Sequence, residues 1–135
     1  MSQPSTAPGG NAAPKPYFRG VGEFVERWLL PTQTGKLAAS GGSGGRVWCA
    51  EWWQHPQVAV RLTALWRAWE AARASNAADA MSAWWLHHAD PHLRVLCDGD
   101  TGPMYRCATR HHDLEPYPCT SVPPGWFDDT TEPDQ

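Results

Sequence analysis

The chain has 135 residues and a formal charge of −3, which predict a single domain and argue against a generally basic nucleic-acid-binding protein. No apolar run approaches the roughly 18 residues that span a bilayer, and residues 1–16 lack the apolar stretch of a secretory signal, so we expect a cytoplasmic protein without membrane insertion. The four cysteines of such a protein are expected to be free thiols or metal ligands rather than disulfides.

Three segments have compositions that predict disorder or flexibility. Residues 1–16 are rich in Ser, Pro, Ala and Gly and offer little apolar surface to bury. Residues 35–46 contain a Gly- and Ser-rich run that predicts a flexible loop, and residues 128–135 form a short acidic tail. These predictions leave residues 17–127 as one small domain.

Two helices are predicted in the first part of this domain. The first runs from about Gly22 to Leu30, where Pro31 is expected to end it. The second runs from Pro56, which suits the first helical position, to Ser75. It carries apolar residues at the 3.6-residue period of a helix: Val58, Leu62, Leu65, Trp66, Trp69 and Ala72.

Two shorter helices are predicted next. The third opens at Asp79 and contains two adjacent tryptophans. An Asp at the N-cap followed by a Pro predicts a new helix start at Asp90–Pro91, so a fourth helix is expected to reach Leu96. The fold class is therefore predicted to be mainly α, a small bundle of about four helices.

The C-terminal part of the domain is predicted to be irregular. Turn-forming residues occupy positions 98–103, and residues 104–109 are predicted to form a short strand, which allows one short strand pair. Five prolines follow before the end of the chain. We expect this Pro-rich segment to pack across the helices, with Tyr117, Trp126 and Phe127 in contact with them.

Histidines and cysteines concentrate between positions 87 and 119. Zinc takes four such ligands in a tetrahedron, and Cys107 with His111 has the spacing of a half-site. The predicted ligands, if zinc binds, are His88, His92, Cys107, His111 and His112. The favoured interpretation is the absence of a cofactor, because the spacing fits no established zinc motif and the cysteines suit a small core.

A second set of residues indicates binding of a partner. Neighbours on a helix point about 100° apart, so one member of each adjacent Trp pair is expected to be partly exposed, as in many binding patches. The long helix also carries arginines that would either contact phosphates or only solvate its outer face. The candidate interaction residues are Trp52, Trp53, Arg61, Arg67, Arg73 and Trp85.

The order of several short motifs resembles a known family. The motifs are Trp48-Cys49-Ala50-Glu51-Trp52-Trp53-Gln54-His55, Arg61 to Glu70, Met81-Ser82-Ala83-Trp84-Trp85, Asp90-Pro91-His92, Gly102-Pro103, and Cys107 with His111-His112. Over residues 17–127 the chain resembles domain of unknown function 4913, a family of small actinobacterial and actinophage proteins. It departs from the family at Ala50, where Pro or a similar residue is usual, and at Met104, where Phe is usual.

This resemblance implies a cytoplasmic protein of an actinobacterium or its mobile elements, encoded beside conjugative-transfer or phage genes, and it carries over no catalytic residue. The favoured function is a non-enzymatic interaction or accessory protein with a protein partner from conjugation or phage machinery. The alternative is a zinc-stabilised domain that contacts nucleic acid, which the negative charge disfavours. A small metal-dependent hydrolase is least favoured, because the sequence shows neither a positioned base nor an oxyanion site.

Overall fold

The computed structural model describes residues 15–39 and 44–127. Residues 1–14 of the tail predicted at 1–16, the tail predicted at 128–135, and residues 40–43 of the loop predicted at 35–46 lie outside the described residues. The described part is mainly helical, with three helices and no strand. None of these helices combines the length and the apolar character that crossing a membrane requires.

Helix α1 covers residues 21–32 and passes through a proline. It consists of an α-helical turn, a π-helical turn and a final α-helical turn: Val21–Phe24, Val25–Leu29 and Leu30–Thr32. The prediction that Pro31 ends the helix is wrong, since the N–H of Leu30 bonds the carbonyl of Val25, five residues back. This wider turn makes room for the proline ring, which would clash with a carbonyl of a regular α-helix.

Helix α2, Pro56–Ala74, is the long central helix, and it matches the prediction closely. Its buried side chains lie on one stripe at helical spacing: Val58, Leu62, Leu65 and Trp69. The helix opens with Pro56 at a position where the missing N–H has no intrahelical role.

Helix α3 covers residues 80–96 and replaces the two short helices that were predicted there. Its consecutive pieces are Ala80–Trp84, a π-helical turn Trp85–Ala89, and Asp90–Leu96. The predicted break at Asp90–Pro91 does not occur, because the N–H of Asp90 bonds the carbonyl of Trp85, five residues back. As in α1, a π-helical turn directly before the proline lets the helix continue.

The core of the three helices is aromatic. The ring of Trp28 on α1 lies 5.1 Å from Trp69 on α2 and 5.7 Å from Trp84 on α3, measured between centroids. Phe24 is fully buried beside them. Large rings bury much apolar area per residue, so this cluster gives a small domain a sufficient core.

The segment before α1 is held against α2 by a carboxylate. Glu70 accepts hydrogen bonds from the backbone N–H groups of Tyr17 at 2.8 Å and Phe18 at 3.0 Å. It also accepts one from Nε1 of Trp66 at 3.0 Å and pairs with Arg73. Burial alone would raise the pKa of Glu70, but these donors outweigh it and the pKa lies below its usual value.

The flanks of the predicted flexible loop make backbone contacts with the rest of the domain. The N–H of Ala38 bonds the carbonyl of Arg46 at 2.7 Å, and the N–H of Gly44 bonds the carboxylate of Asp100 at 3.0 Å. Arg46 also forms an isolated antiparallel bridge with Asp98. These bonds hold residues 44–46 against residues 98–100, directly after the last helix.

The C-terminal segment differs from the prediction in two ways. Residues 104–109 form turns rather than a strand, with the N–H of Cys107 bonded to the carbonyl of Met104 at 2.9 Å. The aromatic side chains expected to contact the helices point to solvent: Tyr117 is 96% exposed, Trp126 70% and Phe127 64%. Prolines remove backbone donors from this segment, and its end forms a turn in which the N–H of Trp126 bonds the carbonyl of Pro123 at 3.2 Å.

Candidate metal centre

Two cysteines and two histidines from opposite parts of the chain converge on one point. The ligating atoms of Cys49, His55, Cys107 and His111 all lie within 4.8 Å of one another. Cys49 Sγ is 3.3 Å from His111 Nδ1, and Cys107 Sγ is 3.4 Å from His55 Nε2. The group therefore has the composition and closeness of a Cys₂His₂ metal site.

The first pair of side chains precedes helix α2. Cys49 follows an extended segment in which the N–H of Val47 bonds the carbonyl of Cys97, at the end of α3, at 2.9 Å. His55 follows the 3₁₀ turn Trp52–Gln54 and immediately precedes Pro56. Its backbone is extended, the conformation that a following proline favours, so its ring is set by the start of the helix.

The second pair is brought back to the first by a tight turn after α3. A Cβ on Gly102 would lie 2.6 Å from the carbonyl oxygen of Asp98 and 2.9 Å from that of Val95, so a larger residue would force the turn apart. The turn places Met104 so that its sulfur accepts the N–H of Cys49 at 3.4 Å. Cys107 follows three residues later, close to the first pair.

The four side chains are shielded from water. Cys49 is 1% exposed, and Cys107 and His55 are each 3% exposed, while the side chain of His111 is 13% exposed. Such buried polar groups need partners, and here they face one another. Their burial also makes the site closed rather than open to substrates.

The protonation of the cluster suits a metal. Burial lowers the pKa of His55, with a smaller contribution from His111, so the imidazole is neutral and has a lone pair to offer. Burial raises the pKa of Cys49 to about 11, and the neighbouring Cys107 adds to the effect. Cys49 is therefore a neutral thiol without a metal, and a bound metal would displace its proton.

The distances fit zinc. With Zn–S near 2.3 Å and Zn–N near 2.0–2.1 Å, a tetrahedral site has sulfur–nitrogen edges of about 3.6 Å. Two observed edges, 3.3 Å and 3.4 Å, are close to this value, and no separation in the cluster exceeds 4.8 Å, so side-chain shifts of about 1 Å would form the site. Two thiolates and two imidazoles also favour zinc over the oxygen-seeking ions Mg²⁺ and Ca²⁺.

The structure brings together two of the five ligands proposed from the sequence, Cys107 and His111. His92 lies on α3, where Arg61 Nη1 contacts its Nδ1 at 3.2 Å, and burial together with Arg61 lowers the pKa of His92. His88 is exposed on the same helix. His112 contributes its backbone N–H, which contacts Cys107 Sγ at 3.3 Å, rather than its ring.

The other two members of the cluster, Cys49 and His55, were missed from the sequence. Their spacing, Cys-x₅-His, is not a recognised half-site, and they lie far from the His- and Cys-rich stretch. The available signal was their position in the Trp-rich motif that begins at Trp48. That motif contains a Cys and a His close together, and both side chains proved to be buried.

The candidate interaction tryptophans divide between core and surface. Trp52 is 5% exposed, whereas its neighbour Trp53 is 58% exposed. In the second pair, Trp84 is 1% exposed and Trp85 is half-buried against the core. Of these, Trp53 is the residue that presents most apolar surface to solvent.

The candidate arginines of α2 are partly engaged inside the protein. Arg61 contacts His92, and Arg73 pairs with Glu70 at 3.5 Å. Arg67 is exposed. An arginine held by a neighbour is less available to a phosphate, so the three arginines of α2 form a weaker nucleic-acid-binding surface than the sequence indicates.

A known protein family matches most of the chain. The family described as Domain of unknown function (DUF4913) matches residues 18–123, which include all four members of the cysteine–histidine cluster. No curated protein matches the chain, and no solved structure matches it.

Proposed function

This chain belongs to the DUF4913 family, and we propose that it is a structural zinc-binding domain that acts as a non-enzymatic interaction module. The observation that carries the proposal is the convergence of two cysteines and two histidines within 4.8 Å of one another. They come from segments more than 50 residues apart in the chain. Such a meeting of four zinc-ligating groups, three of them buried, is best explained by a metal that holds the two segments together.

A structural role is favoured over catalysis. Four protein ligands complete the tetrahedron of a zinc ion and leave no position for water or a substrate. Catalytic zinc sites keep one position open, and the burial of Cys49, His55 and Cys107 contrasts with such an arrangement. The proposal therefore assigns the metal to folding rather than to hydrolysis.

The position of the cluster indicates what the metal stabilises. His55 and Trp69 are 14 residues apart, so the cluster and the aromatic core lie about 20 Å apart along α2. The core joins the three helices near Trp69, whereas the cluster joins the start of α2 to residues 104–111. Zinc would hold the part of the domain that has no regular structure of its own.

A protein partner is favoured over nucleic acid. Beyond the cluster, apolar side chains are exposed along the C-terminal segment: Tyr117, Val122, Trp126 and Phe127. Exposed apolar groups of this kind are typical of surfaces that bind other proteins. The engagement of Arg61 and Arg73 within the domain argues against a phosphate-binding face.

The biological setting of the proposal rests on the resemblance to the family described above. It supports a cytoplasmic accessory protein of an actinobacterial mobile element, with a partner from conjugation or phage machinery. In this proposal the zinc site keeps the module folded, and the exposed apolar residues contact the partner.

Metal analysis of the purified protein tests the proposal. We expect one zinc per chain, lost in Cys49→Ser and in Cys107→Ser. Cys119→Ser is the matched control, because Cys119 is exposed and lies outside the cluster. A wild-type protein free of zinc after expression with zinc, or equal zinc content in all variants, would refute the site.

A further inference from the structure

The ring of His111 has a carboxylate on its outer side. Its Nδ1 lies 3.3 Å from Cys49 Sγ, whereas its Nε2 lies 2.6 Å from Oδ1 of Asp113. The side chain of Asp113 is 81% exposed, so this contact is at the surface. The two ring nitrogens therefore have different partners, one in the cluster and one outside it.

This arrangement fixes the position of the ring proton. A neutral imidazole has one N–H, and an ionised carboxylate can only accept a hydrogen bond. When Nδ1 of His111 binds a metal, Nε2 carries the one ring proton and donates it to Asp113. The lone pair of the ring is left on Nδ1, the nitrogen that faces Cys49 and the centre of the cluster.

Residues 111–113 make three successive contacts around the same site. His111 offers its ring, His112 directs its backbone N–H at Cys107 Sγ at 3.3 Å, and Asp113 holds the outer nitrogen of the ring. An N–H directed at a sulfur stabilises the thiolate that a metal requires. This short segment therefore orients one ligand and supports another.

We propose that Asp113 is a positioning residue of the metal centre, which increases its zinc affinity by holding His111 with Nδ1 towards the metal. The inference rests on the proposed zinc site and extends it to a residue that is not a ligand. Partners of this kind orient histidine ligands in zinc proteins, and their removal typically lowers metal affinity about 10- to 100-fold. The same loss is expected for Asp113→Asn, with one zinc per chain still bound at saturation.

Zinc dissociation constants, measured by competition with a chromophoric chelator, test this role. Glu115→Gln is the matched control, because Glu115 lies two residues further along the same exposed segment and carries the same charge. We expect a loss of about 10- to 100-fold for Asp113→Asn and less than about twofold for Glu115→Gln. Asp113→Glu keeps the carboxylate and should recover part of the lost affinity.

The nitrogen chemical shifts of His111 give a second readout, which a purely structural role of Asp113 would not change. In the zinc-bound wild-type protein, Nδ1 should show the shift of a metal-bound nitrogen and Nε2 that of a protonated one. In Asp113→Asn, the proton on Nε2 should exchange with water more quickly, because its charged acceptor is gone.

The two proposals fail in different ways. Equal dissociation constants for all variants, or wild-type coordination through Nε2 of His111, would overturn the role of Asp113 and leave the zinc site intact. A wild-type protein that binds no zinc would overturn the site itself, and the role of Asp113 with it.

Discussion

Removal of zinc should release one segment of the domain and leave the helices folded. Residues 104–113 contain no helix or strand, and they are held to the start of α2 by Cys107 and His111. The helices are joined by the aromatic core around Trp69, about 20 Å along α2 from His55. A chelator should therefore detach this segment before it unfolds the protein.

The free energies support this expectation. Ordering the backbone of about ten residues costs about 10–20 kcal/mol, at about 1–2 kcal/mol per residue. Burial of Met104, the largest fully buried side chain in the segment, contributes only about 1.5–3 kcal/mol. A structural zinc ion contributes about 10–16 kcal/mol in small zinc domains, which is the size of the missing stabilisation.

Hydrogen exchange of backbone amides measures the effect. The amides to follow are those of Cys107, which bonds Met104, and His112, which contacts Cys107 Sγ. Because the zinc contribution exceeds about 3 kcal/mol, their exchange should rise by more than about 100-fold when zinc is removed, whereas amides near Leu65 in α2 should change little. Cys107→Ser with zinc present should resemble the zinc-free wild-type protein, and Cys119→Ser should resemble the zinc-bound one.

Two results would refute this reasoning. Equal exchange at residues 104–113 with and without bound zinc would show that the segment is held by other contacts. Simultaneous loss of the helical circular dichroism signal would show that the aromatic core depends on the metal, contrary to the separation of the two sites along α2.

Three further predictions concern the aromatic core, the carboxylate of Glu70 and the thiol of Cys49. Trp69→Ala should lower the free energy of unfolding by about 3–5 kcal/mol in urea titrations. Val60→Ala, on the exposed side of the same helix, should change it by less than about 0.5 kcal/mol. Equal effects of the two substitutions would place the core elsewhere. Because the pKa of Glu70 is lowered in the folded protein, the stabilisation of the fold by Glu70 is present above its unfolded pKa near 4.5 and is lost as the pH falls through its folded pKa. Glu70→Gln should remove this part of the pH dependence of the free energy of unfolding. An unchanged pH profile would contradict this prediction. Because the pKa of Cys49 is raised to about 11, zinc binding near pH 7 should release the thiol proton, and zinc affinity should increase as the pH rises. Calorimetry in buffers of different ionisation enthalpy would show this proton release. A binding heat independent of the buffer would argue against it.

The helices show which features of the sequence determine structure locally. Helix α2 was predictable because its apolar residues repeat at the helical period and Pro56 marks its start. The continuation of α1 and α3 through Pro31 and Pro91 was not, because each depends on a π-helical turn. Such a turn is stabilised by packing of the whole domain and leaves no distinct pattern in the sequence.

The cysteine–histidine cluster shows the limit that distance along the chain sets on prediction from the sequence. Cys107 and His111 were found because they are close in sequence and their side chains meet in one turn. Cys49 lies 62 residues from His111, and their meeting depends on the tight turn at Gly102 and on the end of α3. A contact of that separation follows from the completed fold and not from any local spacing.

The C-terminal aromatic residues show that composition does not determine burial. Tyr117, Trp126 and Phe127 were expected to cover the helices because large rings are usually buried. In the structure the tryptophans of α1, α2 and α3 fill the core, and the three rings of the C-terminal segment lie exposed outside it.

X-ray absorption at the zinc edge tests the central claim most directly, because it reports the atoms that surround the metal in the intact protein. The account predicts two sulfurs at about 2.3 Å and two imidazole nitrogens at about 2.0–2.1 Å. One sulfur should disappear from this shell in Cys49→Ser if any metal remains, and Cys119→Ser should leave it unchanged. A shell of oxygen and nitrogen alone, or no bound zinc in the wild-type protein, would contradict the account.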